Sequence, residues 1–289
     1  MIGAPPEKIF RATHHRPALA RERARLARAA LADCRLCAHD CGVNRLTGET
    51  GLCHAGPEAR FFSAQVEVSD ELELMPTFSV ALSGCDLRCD FCITGKASWD
   101  ARAGLGFAAG QMAERARLAL HNGARTIMVL GGEPTIHLPA ALEFVSHLPA
   151  SAKLIWKTNA HGTARARALL DGLFDVWLAD FKFGNDACAQ RLAKVPDYVR
   201  VVRENLLWAD DHSELIVRHL LMPGHVECCW RPVAEWLAEN LPGGKVNLRA
   251  GFWPAWQARR HGELLNVLSM SEHDFAFGLA GELGLNLIP

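Results

Sequence analysis

The sequence predicts an α/β fold: about six β/α units in series, preceded by a small cysteine-rich element. Three observations carry this. Short runs of branched, apolar residues recur along the chain, as strands buried on both faces require. Segments with apolar residues at helical spacing lie between them. Ahead of the first unit, Cys34, Cys37, Cys41 and Cys53 sit among Gly, Asn and Thr with little periodicity, the pattern of a knuckle folded around a metal. The 289 residues are 49% hydrophobic and 22% charged, which excludes a disordered or fibrous chain. A net charge of −1 gives no general nucleic-acid or anionic-membrane footprint. No apolar run reaches the roughly 18 residues of a membrane span. The first residues lack the apolar segment of a signal peptide, so the expected compartment is the cytoplasm.

In chain order, residues 11–28 are basic, and the Ala-rich spacing from Pro17 to about Asp33 predicts a solvated helix. Residues 60–68 predict a strand entering the main domain. Strands are then predicted at 78–83, 126–130, 153–158, 175–180, 214–221 and 245–249, and helices at 112–120, 138–148 and 230–237. From about Arg259 the chain reads as two further helices. Periodicity alone allows a barrel or an open doubly wound sheet. In both, reactive groups gather where strands give way to the following loops, here just after Ser83, Leu130, Trp156, Ala179 and Val217.

The predicted strand 78–83 runs into SGCDLRCDFC, with Cys85, Cys89 and Cys92 in one loop. Thiolates are soft ligands for iron–sulfur clusters or zinc. A structural zinc site takes four ligands, so a fourth would have to come from elsewhere. A four-iron cluster held by three thiolates keeps one iron open to a ligand. This Cys-x3-Cys-x2-Cys loop after a first strand resembles the signature of the radical S-adenosylmethionine superfamily. The resemblance implies a partial (β/α)6 barrel and a [4Fe–4S] cluster whose open iron binds S-adenosylmethionine. It implies reductive cleavage to a 5′-deoxyadenosyl radical that takes a hydrogen atom from a substrate. It also implies a low-potential electron donor such as flavodoxin or ferredoxin.

Further motifs extend the resemblance from about Cys34 to Trp256, toward enzymes that activate glycyl-radical enzymes, such as pyruvate formate-lyase activating proteins. Gly131, Gly132, Glu133 and Pro134 end the second strand and resemble the motif that binds the cofactor's amino group. Thr158 and Asn159 match the Thr-Asn pair of activating enzymes, but Lys157 stands where those enzymes carry an Asp that helps hold a monovalent cation. The expectation is that the Lys157 ammonium replaces the cation. Asp180 and Lys182 resemble an Asp-x-Lys segment near the cofactor carboxylate, and Arg218 resembles a cofactor-contacting arginine. Two departures stand out. Ile93-Thr94 follows the third cysteine where Gln-Asn is usual, and NLRAGFWPAW precedes Gln257 where related chains carry a Gln-Tyr pair.

Cys34, Cys37, Cys41 and Cys53 suit a structural zinc or an auxiliary cluster, with zinc slightly favoured; His39 or His54 could replace one of them. Cys188, Cys228 and Cys229 fall on predicted helices and read as core or surface thiols, while His219 and His225 read as structural. The expected organisation is an N-terminal helix and four-cysteine element (1–59), a partial barrel (60–258) and a C-terminal helical extension (259–289). The resemblance makes a protein glycine the first substrate to expect. A small molecule or peptide is the alternative, which an enclosed pocket near Trp253 and Trp256 would favour. A non-catalytic electron carrier is the third, which needs none of the motifs beyond the cysteines.

Overall fold

A computed structural model describes residues 15–69 and 71–289. The start of the basic stretch 11–28 lies outside these residues. The elements are α1 (Arg16–Ala29), β1 (Arg60–Glu67), β2 (Thr77–Leu82), α2 (Lys96–Trp99), β3 (Leu105–Gly106), α3 (Ala109–His121), β4 (Thr126–Gly131), α4 (Leu138–Ser146) and β5 (Lys153–Thr158). They continue with α5 (Ala164–Leu170), β6 (Val176–Asp180), α6 (Asp186–Ala193), α7 (Tyr198–His212), β7 (Glu214–Leu220), α8 (Arg231–Asn240), β8 (Lys245–Arg249), α9 (Met270–Glu282) and β9 (Asn286–Leu287). Local chemistry sets several boundaries. Pro17 stands at the start of α1, the Thr163 and Asn185 side chains cap α5 and α6, and Ser269 and Glu272 form a capping box on α9.

One sheet runs β3-β1-β2-β4-β5-β6-β7-β8-β9. β2 and β4 to β9 are parallel neighbours, and β1 joins antiparallel to both β2 and β3. From β2 on, the strand order never reverses, so the sheet is singly wound and curls toward a barrel. It does not close: β3 and β9 end it. Strand alternation divides the core into two layers. Met128, Ile155, Val176, Leu178 and Ile216 form the inner layer. Ile127, Val129, Trp156, Trp177, Ala179 and Val217 belong to the larger cluster shared with the helices. On the inner parity, the next positions toward the C-terminal strand ends are Lys157, Asp180 and Arg218, so charged groups stand above an apolar floor.

The C-terminal part differs from expectation. Two single 3₁₀ turns (Ala258–Arg260 and Gly262–Leu265) replace the first expected helix, α9 is the second, and β9 adds to the sheet. Gly284 breaks the helix in a left-handed conformation, and the Asn-Leu that follows pairs with Lys245 and Val246. The expected helix at 230–237 is shifted: a π turn covers Val226–Trp230 before α8. Among the described residues, no helix is long and apolar enough to cross a membrane.

The N-terminal element packs onto the strand ends. Ala38 donates its N–H to the His161 carbonyl, the Thr163 N–H reaches the Leu36 carbonyl, and the buried Arg45 guanidinium bonds the Ile136 carbonyl. His39 Nε2 lies 3.0 Å from the carbonyl of Asp86, the residue after Cys85.

Candidate active site

A cavity of about 320 Å³ opens at the C-terminal ends of β2 and β4–β7. Cys85, Cys89 and Cys92 line one side, and Lys157, Asn159, Asp180, Lys182 and Arg218 the other, with Gly131 and Gly132 between. The cysteine loop is fixed by its own backbone. Arg88 and Asp90 donate N–H groups to the Ala193 and Leu192 carbonyls, and the Asp90 carbonyl accepts from the Gln257 N–H. Cys85 and Cys89 are buried; Cys92 is partly exposed, its sulfur 3.2 Å from the Thr94 hydroxyl.

Burial pushes the Cys89 thiol up to about 12. Burial, reinforced by Asp86, pushes Cys85 well above the ordinary thiol range. Such groups become thiolates only against added positive charge, which iron supplies. The three sulfurs on one wall and the polar groups facing them therefore fit a cluster with an open iron beside a zwitterionic ligand. Gly132 is part of that fit: a Cβ there would lie 2.0 Å from the Gly84 carbonyl oxygen and 3.1 Å from the Cys85 Cβ. The wall can come this close to the cysteine loop only without a side chain.

The opposite side is a charge network. Arg218 and Asp180 are register partners across β6 and β7, with Arg218 Nε 3.6 Å from Asp180 Oδ1. Lys182 pairs with Asp180 as well. Burial works against the Asp180 carboxylate, yet Lys182 and Arg218 hold it below its usual range. Glu71, which the motifs do not mark, closes the network from behind. Its side chain is fully buried, 2.9 Å from Arg218 Nη1 and 3.8 Å from Lys157 Nζ. Lys157, Lys182 and Arg218 thus bring three cations to this side of the cavity, held by Asp180 and Glu71, with Glu67 also on the lining.

Glu133, Pro134 and Thr158, expected to touch the cofactor, do not line the cavity. Thr158 is one residue out of phase with Lys157, so it lies on the outer parity of β5. Its hydroxyl donates to Glu133 Oε1 at 2.8 Å, and Glu133 Oε2 accepts the Asn159 N–H at 2.7 Å. Glu133 thus spends its carboxylate on the loops behind the wall, and burial together with Asp86 raises it to about 7. Asp86 continues this layer: it accepts from Asn159 Nδ2 at 2.7 Å and pairs with His161 at 2.9 Å. His219 lies on the outer parity of β7, its Nδ1 2.6 Å from the Phe181 carbonyl, a structural position.

Ile93, which lines the cavity, is 78% exposed, and Trp256 is 41% exposed. Trp256 packs on Trp99, which lines the cavity, at 5.8 Å between ring centroids. The N-terminal Cys34, Cys37, Cys41 and Cys53 line a separate void of about 10 Å³, about the room for one water-sized sphere, bounded also by Arg45 and Ile136, without their sulfurs drawing as close together as the ligand atoms of one ion. Cys188, Cys228 and Cys229, read from the sequence as core or surface thiols, come together beside His225.

A family model described as the radical SAM superfamily matches residues 80–237. The uncharacterized protein MJ0674 of Methanocaldococcus jannaschii is 31% identical over 261 residues, covering 89% of this chain and 76% of that protein. Among solved structures, Streptococcus suis SuiB bound to S-adenosylmethionine superposes with a TM-score of 0.52 at 16% identity, covering 70% of this chain and 47% of SuiB. SuiB bound to its precursor peptide SuiA superposes with a TM-score of 0.51 at 14% identity, covering 70% of this chain and 46% of SuiB. At that identity the likeness is one of fold, and the chain spans about half the length of SuiB.

Proposed function

Because the chain belongs to the radical SAM superfamily, whose members bind a [4Fe–4S] cluster and S-adenosylmethionine, we propose that it uses this cofactor pair to abstract hydrogen from a polypeptide. The observation that carries the reading is the cavity itself: three cysteines on one wall, Lys157, Lys182 and Arg218 on the other, and exposed apolar Ile93 on its lining. Cys85, Cys89 and Cys92 would hold the cluster, which supplies one electron to the bound sulfonium and so yields the 5′-deoxyadenosyl radical. Arg218, Lys182 and Lys157 offer the positive charge for the cofactor carboxylate, and Asp180 keeps Lys182 protonated against burial. Gly131, Gly132 and Asn159 shape the wall between them, while Glu133, Pro134 and Thr158 hold that wall from behind. Lys157 serves as the positive charge that activating enzymes obtain from a monovalent cation.

About 320 Å³ is at the low end for one small ligand, which leaves the substrate to bind at the mouth. There Ile93 and Trp256 expose large apolar surface to water, as a docking rim for another chain would. Trp253 and Trp256 are 68% and 41% exposed, whereas a small substrate would favour tryptophans in an enclosed pocket. The resemblance to activating enzymes makes a glycine Cα the candidate hydrogen donor, and SuiB's complex with a precursor peptide lends weaker support to a peptide substrate. An external reductant of the flavodoxin or ferredoxin kind would feed the cluster, and the N-terminal cysteines would hold a closed zinc or auxiliary cluster.

The test is anaerobic. The reconstituted, reduced chain and its Cys89→Ala variant receive S-adenosylmethionine and an extract from cells grown on Cα-deuterated glycine. Wild type should form 5′-deoxyadenosine carrying deuterium when given the macromolecular fraction, and the variant should form none. Deuterium or turnover only with the small-molecule filtrate would refute the polypeptide reading. No product from an intact reduced cluster under any condition would refute the enzyme.

A further inference from the structure

The loops after β6 and β7 meet outside the cavity, and four ligand-type side chains meet with them. Cys188 comes from α6, and His225, Cys228 and Cys229 come from the turn that leads into α8. Their sulfur and nitrogen atoms all lie within 4.8 Å of one another. Cys188 Sγ is 3.8 Å from Cys228 Sγ, and Cys228 Sγ is 3.9 Å from Cys229 Sγ. His225 Nδ1 is 3.5 Å from Cys188 Sγ, 3.3 Å from Cys228 Sγ and 3.9 Å from Cys229 Sγ.

These separations are those of one tetrahedral ion. Zinc bonds of about 2.3 Å to sulfur and about 2.0 Å to nitrogen, at tetrahedral angles, place sulfurs about 3.8 Å apart and sulfur about 3.5 Å from nitrogen. In a multi-iron cluster each thiolate binds a different iron, which spreads the sulfurs more widely. We propose that Cys188, His225, Cys228 and Cys229 form a mononuclear structural zinc site. Nothing in the radical chemistry uses this site, and it stands or falls independently of that reading.

The surroundings are those of a ligand set. Asn185 Nδ2 donates toward Cys188 Sγ at 3.4 Å, bonds the Cys228 carbonyl at 2.7 Å and lies 3.9 Å from Cys229 Sγ. Such donors offset charge on thiolates. With Nδ1 on the metal, His225 Nε2 carries the hydrogen. Glu263 Oε1, 3.5 Å away, is then the acceptor that orients the ring, and Arg191 fixes Glu263 in turn. Arg191 Nη2 also lies 3.0 Å from Nε2, a donor against a donor once the metal binds, so loading should turn the ring toward Glu263. Cys188, Cys229 and His225 are buried and Cys228 is exposed, so the ion would be shielded on most sides. Lys182 lies six residues before Cys188 and Arg218 seven before His225. The metal would therefore pin together two loops whose strands supply the charged cavity wall.

The test is metal content of the full chain, purified anaerobically from zinc-supplemented cells. Wild type, Cys228→Ser, Cys228→His and the N-terminal double variant Cys34→Ser/Cys41→Ser are compared by elemental analysis. Cys228→Ser should lose one zinc per chain, while Cys228→His and the N-terminal variant should keep it. In the Cys34→Ser/Cys41→Ser background, cobalt substitution should give a tetrahedral thiolate spectrum that shifts when Cys228→His is added and disappears when Cys228→Ser is added. Hydrogen exchange of residues 183–188 and 221–229 should quicken when the zinc is lost. Equal zinc in wild type and Cys228→Ser, or loss of all zinc in the N-terminal variant, would overturn the proposal. Iron recovered in place of zinc at this site would overturn the assignment of the metal.

Discussion

Replacing Gly132 by alanine tests whether close approach of the β4 loop to the cysteine loop is what places Cys85. The added Cβ would stand 2.0 Å from the Gly84 carbonyl oxygen and 2.6 Å from its carbon, where ordinary contact begins at 3.4 Å. The obstacle is backbone, so no rotamer change relieves it, and one segment must retreat by about 1.4 Å to restore ordinary contact. That movement strains two hydrogen bonds of 2.9 Å, Gly132 N–H to Leu82 and Glu133 N–H to Gly84. Overpacking and the weakened bonds together cost about 2–4 kcal/mol. Cys85 adjoins Gly84 and moves with it, and a misplacement of about 1 Å at a reacting centre costs about 10²-fold in rate. The assays are the urea midpoint, iron per chain after anaerobic reconstitution, and the rate of 5′-deoxyadenosine formation. Gly278→Ala is the control. Its Cβ meets nothing within 4 Å, so it should gain about 0.5–1 kcal/mol and leave iron and rate unchanged. A Gly132→Ala chain with wild-type iron, wild-type rate and a stability loss under about 1 kcal/mol would refute the reasoning.

Other substitutions probe the network and the core. Glu71→Gln removes the buried carboxylate that Arg218 and Lys157 share, which should cost about 2–4 kcal/mol by denaturant titration; an unchanged midpoint would refute the pairing. Lys157→Asp sets a second carboxylate beside Glu71, so S-adenosylmethionine cleavage should become dependent on added potassium or sodium, and activity independent of both ions would count against cation replacement. His137 is buried with Nε2 2.9 Å from the Ser83 carbonyl, and burial lowers it to about 3. Its folded value lies below its unfolded one, so its stability is present above about pH 6.5 and is lost as the pH falls toward 3. The stability gap between wild type and His137→Gln should therefore narrow by about 2–3 kcal/mol from about pH 7 to about pH 4.5, and a gap independent of pH would exclude it.

The local part of this protein was legible in its sequence. Cys85, Cys89 and Cys92 lie in one loop, so spacing alone reveals them, and strands such as 153–158 and 245–249 follow from runs of apolar residues. Strand parity puts Lys157 and Thr158 on opposite faces, but only the structure shows that the Lys157 face is the inner one, and the motif match placed both at the cofactor. Sheet closure was not legible, because it depends on how strands at opposite ends of the chain meet. Glu71 carries no motif and gains its role only where the chain entering β2 passes under Lys157 and Arg218. His225, Cys228 and Cys229 did leave a local trace, a histidine three residues before a cysteine pair. Their fourth ligand-type neighbour, Cys188, lies 37 residues before His225 and meets it only because β6 and β7 are adjacent. Spacing along the chain determines which groups a single loop or helix can present, whereas the meeting of loops from different strands depends on sheet order and on the core that holds it.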